Sequence, residues 1–121
     1  MAERHDTGRR GEAAAADYLR QHGYHILEMN WQSNHQEVDI IARKENIMVF
    51  AEVKTRHSQS HGEPEAFVTP AKQRMLVKAA NHYLLHNNCH EEARFDIISV
   101  LITRQGMRIN HIMDAFYPNR G

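Results

Sequence analysis

Glu37, Asp39, Glu52 and Lys54 stand in two apolar runs, QEVDIIA and FAEVKTR, joined by a polar turn within EVDIIARKENIMVFAEVKTR (37–56). Successive side chains on a strand point to opposite faces. Glu37 and Asp39 therefore share one face and Val38, Ile40 and Ala42 the other. On the second run Met48, Phe50, Glu52, Lys54 and Arg56 share a face opposite Ile47, Val49, Ala51 and Val53. A hairpin closed by the two-residue loop Glu45-Asn46 sets Asp39 opposite Glu52, Glu37 opposite Lys54 and Ile41 opposite Phe50, and opposed residues project to the same side. Four ionisable groups then cluster at one end of an apolar face.

Two carboxylates placed opposite each other repel, at a cost of a few tenths to about 1 kcal/mol. A divalent cation between Asp39 and Glu52 turns that repulsion into attraction. Hard cations such as Mg²⁺ (or Mn²⁺) take carboxylate, carbonyl, water and phosphate oxygens, so the main-chain carbonyl of Val53 is a further candidate ligand. Lys54, on the same face, is placed to orient an attacking water or to neutralise charge growing on a phosphate. The implied chemistry is metal-assisted hydrolysis of a phosphodiester. The same residues also suit an ordinary solvent-facing sheet with Glu37–Lys54 as a surface ion pair, and spacing alone does not choose between the two readings.

Other elements must position this hairpin. TGRRGEAAAADYLRQHG reads as a helix that Thr7 can cap and Gly23 can end, with Glu12 on the stripe of Ala15, Ala16 and Leu19. Glu12 thus points toward the sheet, where its partner is either Arg9 and Arg10 or the metal-binding end of the hairpin. YHILEMNWQ reads as a strand, followed by the break Ser33-Asn34-His35 and the strands Glu37–Ala42 and Ile47–Lys54, which form a meander. HSQSHGEPEAF reads as an exposed loop. Thr69-Pro70 opens a second helix over AKQRMLVKAANHYLLHNN, with Leu76, Ala79, Ala80, Tyr83 and Leu84 at helical spacing, and Lys72 and Gln73 in the first turn can reach the same end of the sheet. RFDIISVLIT and, after the turn Gln105-Gly106, RINHIMDAF read as the last two strands. The order predicts a mixed α/β domain with helices packed on a central sheet.

Length and composition bound the rest. The 121 residues fit one domain, residues 1–121, and 41% hydrophobic with 25% charged residues is the composition of a globular chain. Fifteen Lys+Arg balance fifteen Asp+Glu, so any nucleic-acid site must be a local patch. Candidates for phosphate contact are Arg4, Arg9, Arg10, Arg56, Lys72, Arg74 and Lys78, with Arg56 and Lys72 foremost. His57 and His61 fall in the polar loop. The lone Cys89 excludes an internal disulfide, and the start MAERHDTGRR has no apolar stretch of the secretory kind, which together point to the cytoplasm. The apolar runs are too short to span a bilayer. His82, His86 and His90 recur every fourth residue, but Asn87-Asn88 should end the helix before His90, leaving an exposed His pair and no metal site.

GRRGEAAAADYL, QEVDIIA, FAEVKTR, the Lys of TPAKQRM and RFDIISV together resemble the YraN-like family of small bacterial proteins, over roughly Gly8 to Val100. That family is assigned by resemblance to the PD-(D/E)XK nuclease superfamily, near the Holliday junction resolvases. The resemblance implies a restriction-endonuclease-like, three-layer α/β/α domain with a mixed central sheet. It also implies Asp39 and Glu52 as metal-binding carboxylates, Lys54 as the catalytic lysine and Glu12 as the helix-borne acid, while Glu37 and Gln73 are supporting candidates by their positions in the hairpin and the second helix. Structured or branched DNA is the implied partner, and a homodimer is the assembly in which two sites would cut two strands. The family usually has Gly where this chain has Gln36. Two functions fit: a metal-dependent endonuclease of recombination or repair, and a non-catalytic nucleic-acid- or partner-binding module on a nuclease scaffold.

Overall fold

The computed structural model describes residues 2–57 and 68–117, with residues 2–7 described in backbone alone. The elements follow the order α1 (Ala2–Gln21), β1 (His25–Ser33), β2 (Gln36–Lys44), β3 (Ile47–His57), α2 (Pro70–His86), β4 (Glu92–Thr103) and β5 (Gly106–Ile112). The strands form one sheet in sequence order, β1-β2-β3-β4-β5. β1–β2, β2–β3 and β4–β5 pair antiparallel, and β3–β4 parallel. A parallel pair cannot be joined by a tight turn, and the connection from β3 to β4 contains α2.

Each helix covers one face. Ala15, Ala16 and Leu19 of α1 are buried against Ile40, Ala42, Val49, Ala51, Ile98 and Val100. Leu76, Ala79, Ala80 and Tyr83 of α2 are buried with Ile41, Met48, Phe50, Phe95 and Ile97 on the other face. Each fully buried Leu, Ile or Phe contributes about 1.5–3 kcal/mol, so the two cores hold both helices to the sheet. The result is a three-layer α/β/α arrangement of the restriction-endonuclease-like kind, with a mixed five-stranded sheet. Because both faces are covered, β4 reads as a nearly continuous apolar run rather than an alternating one. Among the described residues no helix is long and apolar enough to cross a membrane.

Local signals account for most boundaries. Gly23 takes φ 88 and closes α1, with its N–H on Arg20 O at 3.1 Å and Tyr24 N–H on Leu19 O at 3.0 Å. Thr69 Oγ1 accepts from Lys72 N–H at 3.1 Å and Pro70 is the first helical residue of α2. Asn87 caps the end, so His90 lies outside the helix as expected.

Four expectations are corrected. α1 starts at Ala2, so Thr7 lies inside it; residues 2–6 contain no Pro or Gly, and a capping residue does not stop a helix whose preceding residues also favour one. His57 is the last residue of β3 rather than part of a loop, and residues 58–67, with His61, lie outside the described residues, as does the Arg4 side chain. β5 ends at Ile112, because Phe116 leaves the sheet to stack on Phe95, ring centroids 5.2 Å apart. Val38 does not share a face with Ile40 and Ala42: it joins the α2-side core while they join the α1-side core.

That last change has a local cause. Asn30 takes φ 53 in the middle of β1, a left-handed conformation that Asn tolerates better than most residues. Trp31 pairs with Val38 and Met29 with Ile40, while Asn30 and Asp39 between them are unpaired. The pleat is broken there, and β2 changes face at Asp39.

Candidate active site

The β2–β3 register follows from the two-residue loop. Lys44 pairs with Ile47, Ile41 with Phe50 and Ile40 with Ala51. There the ladder stops, so Asp39 and Glu52, and Glu37 and Lys54, are not paired through their backbones. Beyond that point a side chain crosses between the strands: Asp39 Oδ2 accepts from the main-chain N–H of Val53 at 2.8 Å. The two acids remain close enough for each charge to act on the other. Glu52 is 9% exposed.

Burial raises the Asp39 pKa most, Glu52 beside it raises it further, the Val53 N–H opposes, and Glu12 adds to the rise, so that the carboxyl is pushed up to about 7. Glu52 is also raised, by burial first, with the charges of Lys72 and Lys54 opposing. The two acids titrate as a pair, each resisting ionisation of the other. Placing two acids where neither ionises freely makes a site that a cation would stabilise.

Three charged neighbours surround the pair, Lys72 and Glu12 from elements distant in sequence and Lys54 from β3 itself. Lys72, at the start of α2, sets Nζ 3.7 Å from Glu52 Oε2. Lys54 is exposed at the next outward position of β3 and its charge reaches Glu52. Glu12 projects from α1 toward the sheet, as its stripe predicts, and its field reaches Asp39. Its hydrogen-bond partner is neither Arg9 nor Arg10, which are exposed, but Asn30 Nδ2 at 3.0 Å. Among the described residues no three His, Cys, Asp or Glu side chains gather closely enough to cage a metal, so the protein ligands on offer are two carboxylates and the adjoining main chain.

Two supporting residues sit differently from expectation. Glu37 makes no ion pair with Lys54; its carboxylate accepts from Gln32 Nε2 at 3.3 Å, because the ladder that would have opposed the two has ended. Gln73 donates to Val68 O at 3.0 Å and so fixes the entry to α2 rather than touching the acids. Arg56 lies half-buried on β3 beyond Lys54. His82 bonds Ser33 Oγ at 3.2 Å across to β1, which fits a structural role.

A sequence profile of the "Uncharacterised protein family UPF0102" matches residues 11–100. The chain belongs to the UPF0102 family. It is 50% identical over 117 residues to a UPF0102 protein of Flavobacterium psychrophilum, covering 97% of this chain and 98% of that one. A UPF0102 protein of Christiangramia forsetii is 45% identical with the same coverage, and one of Bacteroides thetaiotaomicron is 44% identical over 98% of both chains.

The UPF0102 match begins at Gly11, one of two site-forming residues that reading the sequence missed. A Cβ on Gly11 would collide with the Thr55 side chain on β3, so glycine is what lets α1 lie close enough to bring Glu12 to the sheet. Asn30 is the other. Its sequence signal is weak, an Asn between Met29 and Trp31 in a strand that also carries Glu28 and Gln32.

Proposed function

We propose that this UPF0102 protein is a metal-dependent endonuclease of the PD-(D/E)XK kind, hydrolysing phosphodiester bonds in branched or damaged DNA of recombination and repair. One observation carries the reading: Asp39, half-buried, and Glu52, buried, stand on neighbouring strands within reach of each other's charge, with Asp39 anchored on the Val53 N–H at 2.8 Å. Stability does not account for two such acids side by side, since like charges on neighbouring strands are unfavourable.

Asp39, Glu52 and the Val53 carbonyl would hold Mg²⁺ or Mn²⁺, oxygen donors suited to a hard cation. When bound, the ion supplies Lewis-acid polarisation of a phosphate oxygen and a more acidic water. The chain's own residues do the rest. The Val53 N–H fixes the Asp39 carboxylate, and Asn30 holds Glu12 toward it. Lys72 steadies Glu52 from α2. Lys54, exposed beside Glu52, orients the water or neutralises charge on the phosphate. Arg9, Arg10 and Arg56 would take flanking phosphates without reading sequence. Two copies acting as a homodimer would cut both strands, and the cytoplasm is the compartment we infer.

A second reading, a non-catalytic DNA- or partner-binding module, is favoured by the Lys72 ammonium already standing 3.7 Å from Glu52, where it partly compensates the acids without a metal. Branched, flapped, single-stranded and linear DNAs incubated with Mg²⁺ or Mn²⁺ separate the two. Cleavage that disappears in folded Asp39→Ala and Glu52→Ala proteins supports the enzyme. If no DNA is cut and calorimetry finds no divalent cation bound at the two acids, the enzyme reading fails.

A further inference from the structure

Between the first half of α2 and the C-terminal segment lies a cleft of about 930 Å³, walled in part by Gln36, Arg74, Lys78 and Tyr117. A second cleft of about 540 Å³, over the turn between β1 and β2, shares Gln36 and Met75 with the first and extends to Glu37 and Lys72. Lys72 is the residue that touches Glu52. The two clefts thus adjoin at Gln36 and Met75, and together they lead from Lys72, beside Glu52, to Tyr117.

The chemistry along that path is specific. Among the described residues lining the outer cleft, the charged ones, Arg74 and Lys78, are both cations. They stand four apart on α2, and residues at that spacing share a helix face. Tyr117 is 61% exposed, yet the chain just before it is anchored: Ala115 N–H donates to Phe95 O at 2.7 Å and Phe116 is buried against Phe95. An aromatic ring is thus carried to the cleft by a fixed backbone. Where the clefts join, Gln36 Oε1 is buried and has no hydrogen-bond partner among the described residues. A buried acceptor left without a donor is unfavourable, and a ligand N–H or O–H would satisfy it.

Cations for phosphate, an exposed ring for a planar face and an amide acceptor for a polar edge match the three parts of an unpaired nucleotide. An intact duplex keeps its base faces in the stack and offers Tyr117 nothing. An acidic peptide would satisfy Arg74 and Lys78 but leave the ring without a planar group to stack on.

We propose that this path binds a single-stranded nucleic-acid segment leaving the duplex held at the acid pair. Arg74 and Lys78 contact its phosphates, Tyr117 stacks on a base and Gln36 accepts from a base edge. The duplex end of this arrangement rests on the nuclease reading; the single-strand contacts do not.

The test is fluorescence anisotropy in EDTA, so that no cleavage intervenes, with a labelled duplex carrying a single-stranded oligothymidine arm and the same duplex blunt. The wild-type chain should prefer the armed duplex about tenfold, the scale of one base–aromatic stack. Tyr117→Ala and the double substitution Arg74→Gln/Lys78→Gln should each remove most of that preference, and Tyr117→Phe should keep it. Circular dichroism checks that each variant is folded. Equal binding of armed and blunt duplexes by the wild type, or a preference unchanged in both Tyr117→Ala and the double variant, overturns the proposal. So does a polyglutamate peptide that displaces the arm as well as free oligothymidine does, which would assign the cleft to an acidic protein. An arm preference in a chain that cuts no DNA supports the groove while overturning the nuclease; cleavage without arm preference does the reverse.

Discussion

Asp39 and Val53 are joined across two strands by a side-chain-to-backbone hydrogen bond of 2.8 Å, at the place where the ladder between those strands has ended. A carboxylate that replaces a ladder contact is held in one orientation, and its neighbour Glu52 is met from the other side by Lys72. Fold and site are coupled at this bond.

Removing one charge from the pair should stabilise the metal-free protein. Asp39→Asn keeps an oxygen for the Val53 N–H and abolishes the repulsion with Glu52, so unfolding in urea at mildly alkaline pH should show a gain of about 1 kcal/mol. Cleavage should vanish in the same variant. A variant less stable than wild type would show that the acids attract rather than repel.

The pH dependence follows from opposite shifts in two acids. Asp39 is raised from 3.8 to about 7, so between those values the native state holds a proton that the unfolded chain has released. Metal-free stability should therefore fall as pH climbs through that window. Millimolar Mg²⁺ should offset the fall by binding the ionised pair. Melting temperatures of wild type and Asp39→Asn across the window check this; parallel curves for the two would refute it.

Asp96 behaves in the opposite sense. It is fully buried and accepts from Arg94 Nε at 2.9 Å, Arg94 Nη2 at 2.8 Å and the Asp114 N–H at 3.0 Å, with His111 Nε2 at 2.7 Å. Burial alone would raise its pKa, but the hydrogen bonds of His111, Arg94 and Asp114 outweigh that and hold it below the ordinary 3.8. Its contribution is present above that ordinary value and is lost as pH drops through the depressed one. Asp96→Ala should cost about 3–5 kcal/mol, the scale for breaking a buried ion pair, measured by denaturant titration at neutral pH. A loss under 1 kcal/mol, the scale of an exposed pair, would demote this cluster to a surface feature.

Gly11→Ala should destabilise by about 1–3 kcal/mol, since the added methyl meets the branched Thr55 side chain on a strand. Thr55→Ala in the same chain should recover part of the loss, and a double-mutant cycle reads the coupling. Additive effects would mean that helix and strand do not meet there.

The hairpin was legible in the sequence because its side-chain period is two and its loop is two residues, so Ile41 had to face Phe50. Both helices were legible from their apolar stripes, and Thr69-Pro70 and Gly23 marked two of their ends. The crossing of Val38 to the other face was not, because its cause, the left-handed backbone of Asn30, lies on a different strand. The reach of Lys72 to Glu52 was read only as an option, since nothing local decides how a helix after a long connection is oriented. Glu12 pointed inward as its stripe required, but its partner Asn30 is a tertiary choice that no spacing rule encodes.

Glu52 and Lys54 ride on β3, the middle strand of five, which pairs with β4 along its whole length but with β2 only as far as Ala51. Segments laddered on both sides open less readily than those laddered on one. These two groups are thus mounted where the sheet is secured toward β4 alone, and the side toward Asp39 is the one left to yield to a bent or branched substrate.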